Sequence, residues 1–153
     1  TILTSAFYHP ENRRKKNGEW LFCDKQGVMQ GEIYPDFIGK DSERRVIADA
    51  KYKPIGNIGN QDYLQVLAYM FRFDAKIGYY LYPEAEGSDD SVLWMNKGST
   101  YESNVTQRDD ICVIKHGLKI PVDAFDYDEF KTRMSDCEQE FISGFSMINV
   151  GYN

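Results

Sequence analysis

No stretch of this sequence is apolar for long enough to cross a bilayer, and its start lacks a signal-peptide pattern; the expectation is a cytoplasmic chain that makes no membrane contact. Cysteine is scarce. Cys23, Cys112 and Cys137 are odd in number, widely spaced and without a CxxC pair, which excludes a disulfide framework or a zinc site of the usual spacing and suits a reducing compartment. Histidine is scarcer still: His9 and His116 stand alone in sequence, without ligand partners, and read as surface residues. Positive charge is not in excess. Eighteen Lys and Arg against 24 Asp and Glu leave a net charge of −6, which argues against a stand-alone nucleic-acid binder but not against an enzyme whose metal neutralises its carboxylates. There is no internal repeat, low-complexity tract or interdomain linker. The 153 residues read as one domain, 1–153, with Thr1 in place of an initiator Met suggesting a piece of a longer protein.

The patterning supplies the elements. "WLFCD" (20–24), "GEIYPDFIG" (31–39) and "VIADAKYK" (46–53) read as a meander of three antiparallel strands, with Pro35 confining the second to an edge or a bulge. "PIGNIGN" (54–60) is a Gly- and Asn-rich loop. The period then changes: "NQDYLQVLAYMFRF" (60–73) has apolar residues on nearly every face and reads as a buried helix capped by Asn60. "KIGYYLYP" (76–83), "SVLWMN" (91–96) and "ICVIKHGLKIPV" (111–122) are further strands, while 84–90 and 97–110 read as loops. The last helix, 126–145, opens with Asp126 and Glu129 at capping-box spacing and carries the stripe Phe130, Met134, Cys137, Phe141. The order β-β-β-α-β, more strands, then a helix predicts an α/β (α+β) fold: a mixed sheet flanked by helices.

Within that order "RVIADAKYKP" (45–54) is unusual, because an apolar strand runs into Asp49 and, two residues on, Lys51. Residues two apart on a strand share a face. Asp36 lies thirteen residues before Asp49, close enough for a hairpin to bring the two carboxylates together. With the Ala50 carbonyl they would offer oxygen ligands to a hard cation such as Mg²⁺, which takes few carboxylates and keeps several waters. A lysine beside such a site can hold a water and stabilise charge on a phosphate, as metal-assisted phosphodiester hydrolysis requires. Asp-x-Lys on a strand is more commonly a surface ion pair. Three features weigh the other way: the Pro-Asp pair at hairpin distance, the apolar run up to Asp49, and Gln65 and Tyr69 one turn apart on the following helix.

"PD" (35–36), "DAK" (49–51) and "QVLAY" (65–69), in that order, resemble the PD-(D/E)xK nuclease superfamily with its QxxxY helix motif. The wording "YPDFIG…RVIADAKYKP…QDYLQVLAYM" is similar to the McrC family, the nuclease subunit of the McrBC 5-methylcytosine restriction system; the likeness spans roughly residues 20 to 83. It implies a restriction-endonuclease-like core and a Mg²⁺-dependent DNA endonuclease, with Mn²⁺ as a substitute. Asp36, Asp49 and the Ala50 carbonyl would hold the metal. Lys51 would be the catalytic lysine, and Gln65 and Tyr69 would organise the site or touch the DNA backbone. The implied partners are double-stranded DNA, with its methylation left open, and an AAA+ GTPase subunit. The second acidic position is Asp rather than the commoner Glu, and an upstream helix donating a further Glu is not evident; Glu11 or Glu19 could take that part. The four cysteines of iron–sulfur relatives are absent. Two alternatives stay open: a RecB-like or stand-alone nuclease of the same superfamily, and a catalytically inactive nuclease fold acting as a structural or DNA-binding subunit.

Other features carry less. "RRKK" (13–16) reads as a solvated loop more readily than as a phosphate contact. Arg44 and Arg45 flank the site in sequence and either could clamp a phosphate. "YYLY" (79–82) suggests a base-stacking platform, though aromatic strand residues more often pack.

Overall fold

In the computed structural model, residues 5–10, 18–52, 55–85, 90–98 and 105–145 are described. The elements run β1 (Phe7–Tyr8), β2 (Glu19–Cys23), β3 (Met29–Ile33), β4 (Phe37–Gly39), β5 (Val46–Ala50), a 3-10 turn (Ile55–Asn57), α1 (Asn60–Arg72), β6 (Ile77–Glu84), β7 (Ser91–Lys97), β8 (Thr106–Lys119) and α2 (Tyr127–Gly144). Six strands form one mixed sheet in the order β1-β4-β5-β6-β8-β7, in which β5, β6 and β8 are mutually parallel and the pairings β1–β4, β4–β5 and β7–β8 are antiparallel. None of the helices among the described residues is long and apolar enough to cross a membrane.

The expected three-strand meander is corrected. Among the described residues β2 and β3 pair only with each other, as a separate hairpin, and the stretch read as one strand over 31–39 breaks at Tyr34–Asp36 into β3 and β4. Pro35 brings no N–H to a ladder and fixes its own φ, so the chain turns there rather than bulging. At the hairpin turn the Asp24 carboxylate accepts the Gln26 and Val28 N–H groups, both at 2.9 Å, and Gly27 takes φ +83. β8 begins at Thr106, five residues before the expected strand, so 106–110 is not loop.

The sheet is covered on both faces by period-2 alternation. Ile47, Tyr80 and Val113 face α1 with Val66, Tyr69 and Met70. Ala48, Ile77, Tyr79, Cys112 and Ile114 face the other way and pack with Phe7 and with Phe141 of α2. β6, buried on both faces from Ile77 to Tyr82, is the central strand, so "YYLY" is core and not a stacking platform. Gly78 lets α1 sit close, since a Cβ there would lie 2.7 Å from Met70 Sδ.

α1 is not buried all round. It shows Leu64 and Phe71 to solvent, Phe71 at 90 % exposure, because the sheet contacts only one of its faces. Its N-cap is Gly59 rather than Asn60, and Asp62 reaches back to accept the Gly59 N–H at 2.9 Å. It ends where Asp74 takes a left-handed φ of 54 and the Ala75 N–H returns to the Met70 carbonyl. α2 starts as expected: Asp126 accepts the Glu129 N–H at 2.8 Å, and Glu129 returns a carboxylate to the Phe125 N–H. Of its stripe only Phe141 is fully buried.

Candidate active site

β5 is parallel to β6 and antiparallel to β4, and its C-terminal end points at the N-terminal half of α1. Asp49 shares the α1-facing side of β5 with Ile47, and Lys51 follows on the same side. Asp36, in the turn before β4, arrives beside them because β4 pairs with β5 from Phe37↔Ala48 onward. Its Oδ2 accepts the Ala50 N–H at 2.9 Å, which fixes Asp36 to the end of β5. His9 donates Nδ1–H to the Asp36 carbonyl at 2.7 Å and stacks on Phe37, so this exposed residue, read as standing alone, braces the Pro-Asp turn.

Asp49 is 4 % exposed, and its Oδ2 lies 2.5 Å from Lys51 Nζ. The ammonium also meets Gln65 Oε1 at 3.1 Å and Asp62 Oδ1 at 3.2 Å. Gln65 passes the network on: its Nε2 donates to the Tyr69 hydroxyl at 2.7 Å, and that hydroxyl takes a backbone hydrogen bond from Tyr34. An ammonium can only donate, so the Gln65 amide must present oxygen to Lys51 and nitrogen to Tyr69. Asp49, Lys51, Gln65 and Tyr69 thus form one connected chain of contacts, with Asp36 attached through Ala50.

Burial raises the Asp49 carboxyl above the ordinary aspartate range; the hydrogen bond and charge of Lys51 oppose this, while Asp36 and Asp62 add to it. The pairing therefore does not fully offset the cost of holding this carboxylate out of water. For Lys51 burial acts to lower the pKa, but Asp49 and Asp62 together outweigh it and hold the ammonium above the usual lysine value. Tyr69 is likewise held high by burial, against its hydrogen bond from Gln65.

Three further residues belong to this neighbourhood. Asp62 was legible: 62, 65 and 69 fall on one helical face. Tyr80 is beside Asp49 in register and Lys115 beside Tyr80, so the row Asp49–Tyr80–Lys115 crosses the sheet on the α1 side. Tyr80 is fully buried, yet its hydroxyl has no partner among the described residues, and burial with the charges of Asp49 and Asp62 pushes its ionisation far up. Lys115 Nζ lies 5.7 Å from the centre of the Tyr63 ring. The sequence marked Tyr80 only as part of "YYLY" and Lys115 not at all, since only strand register brings them near the site. A cleft of about 220 Å³ at the ends of β5 and β6 reaches Ala50 and Lys51, but Phe37, Leu81, Leu118 and Phe141 line it, so it opens toward the α2 side of the sheet and Asp49 is not in its wall.

Other sequence candidates fall elsewhere. Arg44 and Arg45 precede β5, roughly 13 Å along the strand from Asp49, so they do not flank the site in space. Glu19 pairs with Arg72 at 3.7 Å, at the far end of α1 from Asp62. Glu11 and "RRKK" (13–16) lie outside the described residues. His116 is buried, not superficial: its Nδ1 is 2.6 Å from Asp90 Oδ2, its Nε2 2.7 Å from the Phe141 carbonyl, and its ring stacks on Phe141 on the opposite face of the sheet.

Among the described residues no three His, Cys, Asp or Glu side chains gather as a metal-binding group. The donor set at β5 is two carboxylates, each with one oxygen engaged as above, and the Ala50 carbonyl. That set suits a hard cation which completes its shell with water, and it does not suit zinc or copper.

No family model matches the sequence, and no curated protein matches it. Among solved structures the chain is similar to one described as a refined half-complex from the tetradecameric assembly of Thermococcus gammatolerans McrB AAA+ hexamers with bound McrC, at 14% identity and a TM-score of 0.44. The similarity covers 94% of this chain and 30% of that one.

Proposed function

We propose that this chain is a Mg²⁺-dependent DNA endonuclease domain with a PD-(D/E)xK-type centre. The observation that supports it best is the convergence of Asp36, Asp49, Lys51, Gln65 and Tyr69, from a turn, a strand end and a helix, on one hydrogen-bonded cluster. A surface ion pair, the simpler reading of Asp-x-Lys, needs neither burial of Asp49 nor two further acceptors on Lys51.

In this reading Asp36, Asp49 and the Ala50 carbonyl hold the metal, with Mn²⁺ able to replace Mg²⁺. When bound, the cation supplies charge stabilisation at the phosphate and a water of lowered pKa. Lys51, protonated and held by three acceptors, orients that water and the phosphate oxygen as a fixed cation instead of acting as a base. Gln65 and Tyr69 keep the ammonium in place. Lys115, on the same face two strands away, offers a second cation to the DNA backbone. The motif wording at 34–70 supports the further proposal that the domain is the cleavage unit of a modification-dependent, McrBC-like system acting with an AAA+ GTPase, a partner that would also provide the DNA affinity an acidic chain lacks.

The test is cleavage of supercoiled plasmid by the purified protein in Mg²⁺, Mn²⁺ and EDTA, with calorimetric metal titration alongside. Metal-dependent nicking or linearisation is expected. A protein that binds Mg²⁺ only weakly and cuts nothing, alone or with its AAA+ partner, is the inactive nuclease fold instead.

A further inference from the structure

Lys51 has three N–H donors, and three acceptors meet its nitrogen: Asp49 Oδ2 from its own strand, and Gln65 Oε1 and Asp62 Oδ1 from α1. Asp62 is held in turn. Its other oxygen accepts the Gly59 N–H, so one carboxylate spans the first turn of α1 and the lysine at the end of β5. A lysine side chain has four rotatable bonds and keeps one orientation only if its ammonium is tied from several sides. Asp49 alone gives one tie. Asp62 and Gln65, one turn apart on the helix, supply the other two. A charged acceptor also makes the stronger hydrogen bond, and of the two helix acceptors only Asp62 is charged.

We infer that Asp62 is a positioning residue for the reaction, one that aims Lys51 from the first turn of α1 without itself touching metal or DNA. This rests on the reading of Lys51 as the lysine of a phosphodiester-cleaving centre. It assigns the start of α1 a part in the chemistry beyond the Gln65–Tyr69 pair. It also explains why α1 opens on Gly59: the cap position brings no side chain, and the capping carboxylate comes from Asp62, where it can serve Lys51 as well.

The experiment compares Asp62→Asn and Asp62→Glu, each alone and combined with Lys51→Ala. The amide keeps one acceptor oxygen for the cap but loses the charge and the second oxygen; the longer carboxylate is the usual capping residue at this position and keeps both. Plasmid cleavage is followed as kcat and KM at saturating Mg²⁺. The Lys51 ammonium is followed in the metal-free protein by its ¹H–¹⁵N signal, which a tied ammonium shows and a mobile one loses to exchange. Asp62→Asn should lower kcat about tenfold with KM little changed, as expected of a lost orientation. Asp62→Glu should recover most of that rate. In the Lys51→Ala background Asp62→Asn should have no further effect, and the ammonium signal should vanish in the single Asn variant. An equal slowing by Asp62→Asn with and without Lys51, or no slowing at all, would overturn the inference and leave Asp62 a helix cap. If the wild-type protein cuts no DNA, the proposed function fails instead, and the ammonium signal still decides the positioning: its survival in Asp62→Asn would refute it.

Discussion

The two faces of the sheet each hold a polar cluster around one buried side chain, His116 on one and Asp49 on the other, and the clusters differ in how they are finished. On the α2 face His116 meets Asp90 with one ring nitrogen and the Phe141 carbonyl with the other, and Tyr79, Phe141 and Phe145 pack around the ring. Every polar atom of that imidazole is used, and Gly144 passes so close that a Cβ there would collide with the ring. On the α1 face the Asp49–Lys51 pair sits at a strand end. Burial raises the Asp49 carboxyl despite the adjacent ammonium, and the neighbouring Tyr80 hydroxyl is unpartnered among the described residues. A closed network stabilises a fold. An incompletely compensated one costs stability and is the kind of place where a ligand brings a gain. The contrast suits packing for the His116 cluster and, under the proposed function, chemistry for the Asp49 cluster.

Substitutions on the two faces should separate along that line. The largest effect expected is on rate: Lys51→Ala should lower kcat by roughly 10²-fold or more, the scale of a positioned acid–base or charge-stabilising group, with metal affinity nearly unchanged in a calorimetric titration. Loss of metal binding with full rate at saturating metal would make the lysine structural. Next comes His116→Ala, which deletes a packed ring and strands the Phe141 carbonyl. Thermal or denaturant unfolding should show a loss of about 2–4 kcal/mol, while kcat well below the melting temperature stays at the wild-type value. A drop in kcat without a drop in stability would move His116 into the chemistry and break the comparison. Gly78→Ala should cost about 1–3 kcal/mol by pushing Met70 and Val66 away from β6. Because α1 carries Gln65 and Asp62, this variant should also slow cleavage slightly, as Gly144→Ala on the other face should not. Smallest is Asp126→Ala, which removes the α2 cap for about 1 kcal/mol and leaves cleavage untouched.

How much of this could be read from residues alone follows the same division. Asp49 and Lys51 share a face because strands have period 2, and Gln65 and Tyr69 because helices nearly repeat at four, so the α1-face cluster was legible from local periodicity. Asp62 obeys the same rule but passes for an ordinary first-turn acid. The His116 cluster was not legible. Its three parts come from the residue before β7, the middle of β8 and the end of α2, and only tertiary packing joins them. Hydrophobic alternation also could not show that β2 and β3 leave the main sheet, since a hairpin beside a sheet and one within it have the same pattern. The excess of apolar residues on α1 pointed to full burial, yet Leu64 and Phe71 remain exposed, because alternation and periodicity report which residues could be buried and not how far the sheet extends.

The central claim concerns Asp49, and one paired measurement reaches it most directly. Wild type and Asp49→Asn are melted without metal and with Mg²⁺, and assayed for plasmid cleavage in the same buffer. The amide has the carboxylate's shape without its buried charge. The raised pKa means that the ionised form is disfavoured in the folded state, and this cost is fully present above the folded-state pKa and disappears as pH falls below the unfolded aspartate value. The account predicts that Asp49→Asn melts no lower than wild type without metal, gains nothing from Mg²⁺ where wild type does, and cuts no DNA. A variant that still cleaves in Mg²⁺, or that retains the metal-induced rise in melting temperature, would contradict it.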